Sequence, residues 1–253
     1  RDRVFQTAVT VAGGAVGVGG IVEISVVSDR VKAEIGDNST VVAGEDVRVA
    51  GTSDLNIYQS AGNVAAGAVG VGASIGILVA KSETTARIGS GANVHAEDNL
   101  TVAATSDTDL HQNIMGFAGA GVAVTGSLGI NVLKNTTLAE IGSNAQINQM
   151  AEDNRSTQSV NVLARDNLVT QGASGAAAIG AAAGVGMGLN VTALRASTQA
   201  VIRDNTVVSA RDDVTVDASS TKNINNSVIS FGGGGSGASG SVALTIVGGA
   251  MSG

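Results

Sequence analysis

Residues 65–80 read Ala-Ala-Gly-Ala-Val-Gly-Val-Gly-Ala-Ser-Ile-Gly-Ile-Leu-Val-Ala. The odd positions from Val69 onward are Val69, Val71, Ala73, Ile75, Ile77 and Val79. The even positions are Gly70, Gly72, Ser74, Gly76, Leu78 and Ala80. One face is branched and apolar, the other nearly all tiny. Alternation with period two marks an extended strand, because successive Cβ atoms of a strand point to opposite faces. The branched face is expected to be buried as core, and the tiny face to let a second backbone come close. At about 1.5–3 kcal/mol per buried side chain, some six branched residues would contribute on the order of 10–15 kcal/mol. Ordering fifty residues costs more, at about 1–2 kcal/mol each, so an isolated unit is not expected to fold.

The pattern recurs along the chain. Val122, Val124, Leu128, Ile130 and Val132 repeat the branched face, as do Val185, Met187, Leu189 and Val191, then Val242, Leu244 and Ile246. Val16, Val18, Val22, Ile24 and Val26 precede them, with Glu23 interrupting the small face. The phrase Ala-Glu-Ile-Gly at residues 33–36 returns 53 residues later as Ala-Arg-Ile-Gly and again as Ala-Glu-Ile-Gly at 139–142. It returns 61 residues after that as Ala-Val-Ile-Arg, which places an eight-residue polar insertion around 151–158. Fixed-period self-similarity marks a stack of units that bury their faces against neighbours. The fold expected is an all-β tandem-repeat β-solenoid, or a closely related tandem β-architecture, forming a rod with a 53-residue period. Residues 1–253 read as one continuous array of about four and a half units, starting near 12, 65, 118, 179 and 232. Beginning and ending mid-unit, the chain is expected to be a segment of a longer array.

Between the glycine-rich halves, short strands broken by turns are expected. Residues 39–43, 92–96 and 206–210 form one set, and 47–50, 100–103, 160–162 and 214–216 a second. Acidic turns lie between them: Glu45-Asp46, Glu97-Asp98-Asn99 and Asp212-Asp213. The few aromatics keep the same register, with Phe5 matching Tyr58 and Phe117 matching Phe231.

Composition narrows the function classes. The chain has 36 Gly, no Pro, Cys or Trp, three Phe and one Tyr, with a net charge of −7. Lys and Arg are nowhere clustered, so the footprint of a nucleic-acid binder is missing. No thiolate metal site or disulfide can form. Aromatic girdles of a membrane-spanning barrel cannot be built from so few rings. Of the two histidines, His95 is expected on a strand surface where other units carry Val42 and Val207, and His111 in the slot of Phe5 and Tyr58; neither has partners at ligand or catalytic spacing. Asp37-Asn38, Asp98-Asn99, Asp153-Asn154 and Asp204-Asn205 offer oxygen ligands that suit calcium. Asx residues at turns also serve their own backbone, and that reading is preferred. No catalytic, cofactor or metal residues are assigned, and no cofactor is expected.

The phrase Ala-x-Ile-Gly-x-x-Ala-x-Val-x-Ala-x-x-Asn-Leu-x-Val-x-Ala at residues 86–103, with Gly-Ala-Val-Gly-Val-Gly-Ala-Ser at 67–74, resembles the repeat regions of giant bacterial exoproteins. These are the filamentous-haemagglutinin-like and leukotoxin-like adhesins of two-partner secretion. The resemblance implies a non-catalytic extracellular stalk or filament segment at the bacterial cell surface. Its partners would be neighbouring repeats of the same longer protein, or like chains end to end, with no nucleic acid and no membrane span. The alternatives are a self-assembling extracellular filament subunit and a carbohydrate-acting β-helix protein.

Overall fold

The computed structural model describes residues 2–149 and 156–252, the last four by backbone alone. Among these the chain is all-β, built from very long parallel strands in a solenoid-like stack. The strands are β1 (Asp2–Ala12), β2 (Val16–Ile35), β3 (Thr40–Ala43), β4 (Val47–Ile88), β5 (Asn93–Ala96), β6 (Leu100–Ile141), β7 (Gln146–Ile147), β8 (Val160–Ile202), β9 (Val207–Val208), β10 (Val214–Gly233) and β11 (Ser236–Ser252). β4, β6 and β8 are 42, 42 and 43 residues long. Each makes two walls of one coil, because it doubles back midway. Thus Gln59 Nε2 donates to the Ile77 carbonyl at 3.2 Å and the Ser53 and Ser82 hydroxyls meet at 3.5 Å. In the first coil the walls are β1 and β2, in the last β10 and β11, all parallel to their neighbours. The small sheet β3-β5-β7-β9 closes the third side.

The second set of expected short strands proves to be the opening stretch of the long ones. Nothing in the sequence stops the ladder there, since the chain has no proline. The reversal falls at the glycine-rich corner, where Gly67 holds φ +156° and a Cβ would run into the Gly14 carbonyl oxygen. At the opposite corner, one row has Asn38, Gly91, Asn144 and Asn205, all near φ +54° to +68°. Asparagine tolerates this left-handed conformation and branched residues do not. We therefore expect Gly91→Asn to melt within a few degrees of wild type and Gly91→Val to lose much more. Equal melting temperatures would contradict the corner geometry.

Register accounts for the odd spacing. Val47 pairs with Leu100 and Ile88 with Ile141, steps of 53. Leu100 then pairs with Val160, a step of 60, and only past the shift between Ala120 and Val122 does it become 61, as at Val124↔Val185. The expected eight-residue insertion is thus divided: seven residues fall in the stretch between β7 and β8, one at the corner near Ala181 and Ala182. Residues 150–155, which include the Asp153-Asn154 pair, lie outside the described residues.

The largest departure concerns which face is inside. In β4 the buried positions of the second wall are Gly70, Gly72, Ser74, Gly76, Leu78 and Ala80, while Val69, Val71 and Val79 are exposed at 37–38%. The branched face points outward in every coil. Its apolar transfer energy is not what holds the coil together. The glycines let the walls close: a Cβ on Gly184 would lie 2.6 Å from the Ala178 carbonyl, and one on Gly51 2.9 Å from that of Thr85. Apolar packing is concentrated elsewhere. Beside the small sheet, Ile88, Val94, Leu100, Val102, Ile141 and Val162 form the main cluster. Midway, Leu55, Ile57, Leu78, Leu110, Leu133, Leu168 and Leu194 form a second, and near the corner only alanines meet.

Candidate functional site

Between the leucine cluster and the glycine corner, the interior is lined by amides. Gln59, Gln112, Asn63 and Asn131 are buried, and three of them are linked in a chain. Gln112 Nε2 donates to Gln59 Oε1 at 2.7 Å, and Asn131 Nδ2 to Gln112 Oε1 at 3.0 Å. Asn63 Nδ2 caps the Gly19 carbonyl at 2.9 Å. Gly72 and Gly129 leave room for these amides, because a Cβ there would strike Asn63 and Gln112 respectively. Buried polar groups without partners are costly, so this ladder fixes the vertical register of the coils. The sequence reading missed these inward amides; Glu23, which it noted as interrupting the small face, is a buried carboxylate in the row of Gly76 and Gly129. Burial pushes its pKa up.

A second polar seam crosses the interior at Ser53, Ser106, Asp166 and Ser220. Asp166 accepts from Asn135 Nδ2 at 3.2 Å and Ser220 Oγ at 3.3 Å. Desolvation raises its pKa above the ordinary aspartate value, outweighing those hydrogen bonds and the pull of Lys222, with Asp107 adding to the rise. The folded state therefore binds this proton more tightly than the unfolded state does. Stability is fullest below about pH 4 for this group and falls as pH rises through the raised value. Asp166→Asn removes the charge, keeps one acceptor oxygen for Asn135 Nδ2, and places an N–H donor against the Ser220 hydroxyl, which can accept. We expect it to raise the melting temperature at pH 7 and to flatten that part of the pH profile. A lower melting temperature at pH 7 would refute this account.

The two histidines sit apart. His111 stacks on Tyr58, which stacks on Phe5, with centroids 4.8 Å apart in both pairs. Their faces are spent on one another along the ladder. His95 does pair with Val42, but Val207 belongs to the row of Asn93 and Gln146. It is also buried, at 2% exposure, where a surface position was expected. The acidic turns serve the backbone: Asp46 Oδ1 accepts from Asn99 N at 2.9 Å, Asn99 Oδ1 from Ser159 N at 3.1 Å, and Asp37 Oδ1 from Ser90 N at 2.8 Å. Each side chain thereby ties one coil to the next. Among the described residues no three His, Asp or Glu converge as a metal site.

The surface that stands out is the outward branched face of the second walls. Its rows run across the stack: Val18-Val71-Val124-Val185, Val22-Ile75-Leu128-Leu189-Val242, Ile24-Ile77-Ile130-Val191-Leu244 and Val26-Val79-Val132-Ala193-Ile246. In the row Ala73-Gly126-Met187-Gly240, the small residues Ala73, Gly126 and Gly240 leave an apolar trough of about 580 Å³ that Met187 also lines. Beyond one edge lies a basic row, Lys81-Lys134-Arg195; beyond the other is the glycine corner. Contiguous exposed apolar area of this size marks an interaction surface. The outward face of the first walls is polar toward the small sheet, with Arg48, Thr52, Asp107 and Asn113 among its residues, and turns apolar toward the glycine corner, where the rows Val9-Gly62-Met115-Gly175-Ile229 and Val11-Val64-Phe117-Ala177-Phe231 carry exposed apolar side chains.

Fold and surfaces together define a parallel-strand, solenoid-like protein with an apolar flank on the outer face of its second walls. Comparison with protein-family models finds no match, and no curated protein or solved structure matches either.

Proposed function

We propose that this chain is a structural segment, without catalysis, of an extracellular stalk or filament at a bacterial surface: a β-solenoid rod whose repeating unit is 53 residues. The observation that carries this reading is the parallel ladder. It crosses all five coils without a break in strand direction, and among the described residues the outer edges of β1 and β2 at one end and of β10 and β11 at the other carry no partner strand. Such edges are templates for another coil. The inward amides and the turn carboxylates, which join coil to coil, give the stack continuity and no reactive centre. The test is topological. Antibodies against the polar first-wall face should label intact producing cells without permeabilisation, and labelling only after lysis would refute the surface assignment.

The same open edges favour one rival reading, a subunit that polymerises end to end. Purified chain growing into filaments with rising concentration would support the subunit. Species that stop at a small, closed number would support the stalk segment.

A further inference from the structure

The outer apolar flank of the second walls is a large surface that neither the ladder nor the interior uses. We propose that it pairs face to face with the same flank of a second copy of this chain, with the two stacking axes parallel and facing strands running in opposite directions.

Three observations carry this. The first is area. Five coils at about 4.8 Å each, and eleven residues from Val16 to Val26 at about 3.3 Å each, make a face of about 870 Å². Two such faces would bury about 1,700 Å², within the range of a standard stable interface. The second is form. Branched side chains stand in straight rows on an open sheet, which is the surface that packs against another sheet with strands aligned within about 30°. The third is charge. An isologous pair of sheets has two aligned arrangements, set by whether the two-fold axis lies along the stack or along the strands. With the axis along the strands, the row Lys81-Lys134-Arg195 of one copy would face the same row of the other. With the axis along the stack, that row passes beyond the partner's uncharged glycine corner. Like-charge juxtaposition rejects the first arrangement and leaves the second.

A lipid surface is the competing occupant. The flank has none of the Trp or Tyr that anchor proteins at a membrane interface, and the chain as a whole is anionic. A second copy fits the observations better.

The test uses the whole chain. Sedimentation velocity from about 1 to 100 µM should show a monomer passing to a dimer and stopping there, as a closed two-fold pair must. Val71→Lys with Val132→Lys, both outward and exposed, should shift the midpoint at least tenfold while the circular-dichroism spectrum keeps its β-signature. Val69→Cys and Val79→Cys chains, mixed and oxidised, should form the mixed disulfide, because these positions meet across an axis along the stack. Val79→Cys with Ala193→Cys should not. A monomer throughout, association that the lysines leave unchanged, open-ended polymers, the reverse cross-linking result, or binding only to phosphatidylglycerol-containing vesicles would each overturn the proposal.

Discussion

Gly184→Val is expected to lower the melting temperature by about 10 °C or more, while Val124→Thr in dilute solution is expected to move it by less than about 2 °C. Ordinary core logic ranks these the other way round. Here the glycine is inside and the valine outside. A Cβ at Gly184 would meet carbonyl oxygens of two strands, Ala178 at 2.6 Å and Gly233 closer still. Backbone cannot rotate aside as a side chain can, so the walls must part and the ladder on both sides must strain. Overpacking of a compact interior costs about 1–3 kcal/mol, and a clash with backbone lies at the upper end or beyond. Val124 is 39% exposed on the outer flank and loses only one methyl group's partial contact. Melting both variants beside wild type at sub-micromolar concentration decides the matter. If Val124→Thr fell as far as Gly184→Val, the assignment of inside and outside would be wrong.

A single coil cut from the chain, such as residues 47–99, should be unfolded, and pieces of two, three and four coils should melt at progressively higher temperatures. Nearly every backbone bond of β4 goes to the coil before or after it, as the registers Val4↔Ile57 and Ile57↔Leu110 illustrate. Without neighbours those donors and acceptors are left to water. Only the thin interior then remains to offset about 1–2 kcal/mol of ordering per residue. In a linear stack each added coil contributes its own folding term and one more interface, so stability climbs with coil number. EDTA should leave all these melts unchanged, because Asp37 and Asp46 accept from backbone N–H groups of the next coil and no three His, Asp or Glu converge among the described residues. A folded single coil would defeat the interface-dependent account, and a drop with EDTA would make the turns metal sites.

Much of this fold is legible from patterning. Alternation in residues 65–80 identifies the strands, and the matched Ala-x-Ile-Gly phrases set the rows that the structure joins, Ile35 to Ile88 to Ile141 to Ile202. The aromatic slots are also right: Phe5 pairs with Tyr58, and Phe117 and Phe231 share the row of Ala177. What escaped was the sense of the alternation. Apolar-inside is a sound rule when the other face is polar. Against a face of glycine it has no force, because wall spacing then decides. The deciding signal lies just past Ala80. Lys81, Glu83 and Arg87 have the same parity as Val69 to Val79 along one unbroken strand, so the valines must share the solvent side with the charges. Ending the strand at Ala80 hid it. The interior amides escaped for a related reason: Gln59 and Gln112 look like surface residues until their parity with Leu55 and Ile57 is followed.

The doubled-back coil has a mechanical consequence. A wall of twenty residues is about 65 Å wide, the two walls with their side chains are roughly 20 Å thick, and each coil advances the stack by only about 4.8 Å. Resistance to bending grows with the cube of depth in the direction of the bend, so this cross-section is roughly ten times stiffer across its width than across its thickness. In an array much longer than it is wide, such as the proposed stalk, a lateral load would flex it as a leaf spring, one way and not the other. The apolar flank lies on the broad side. Two copies clamped there would double the thickness and raise the weak-direction stiffness severalfold, turning a spring into a beam.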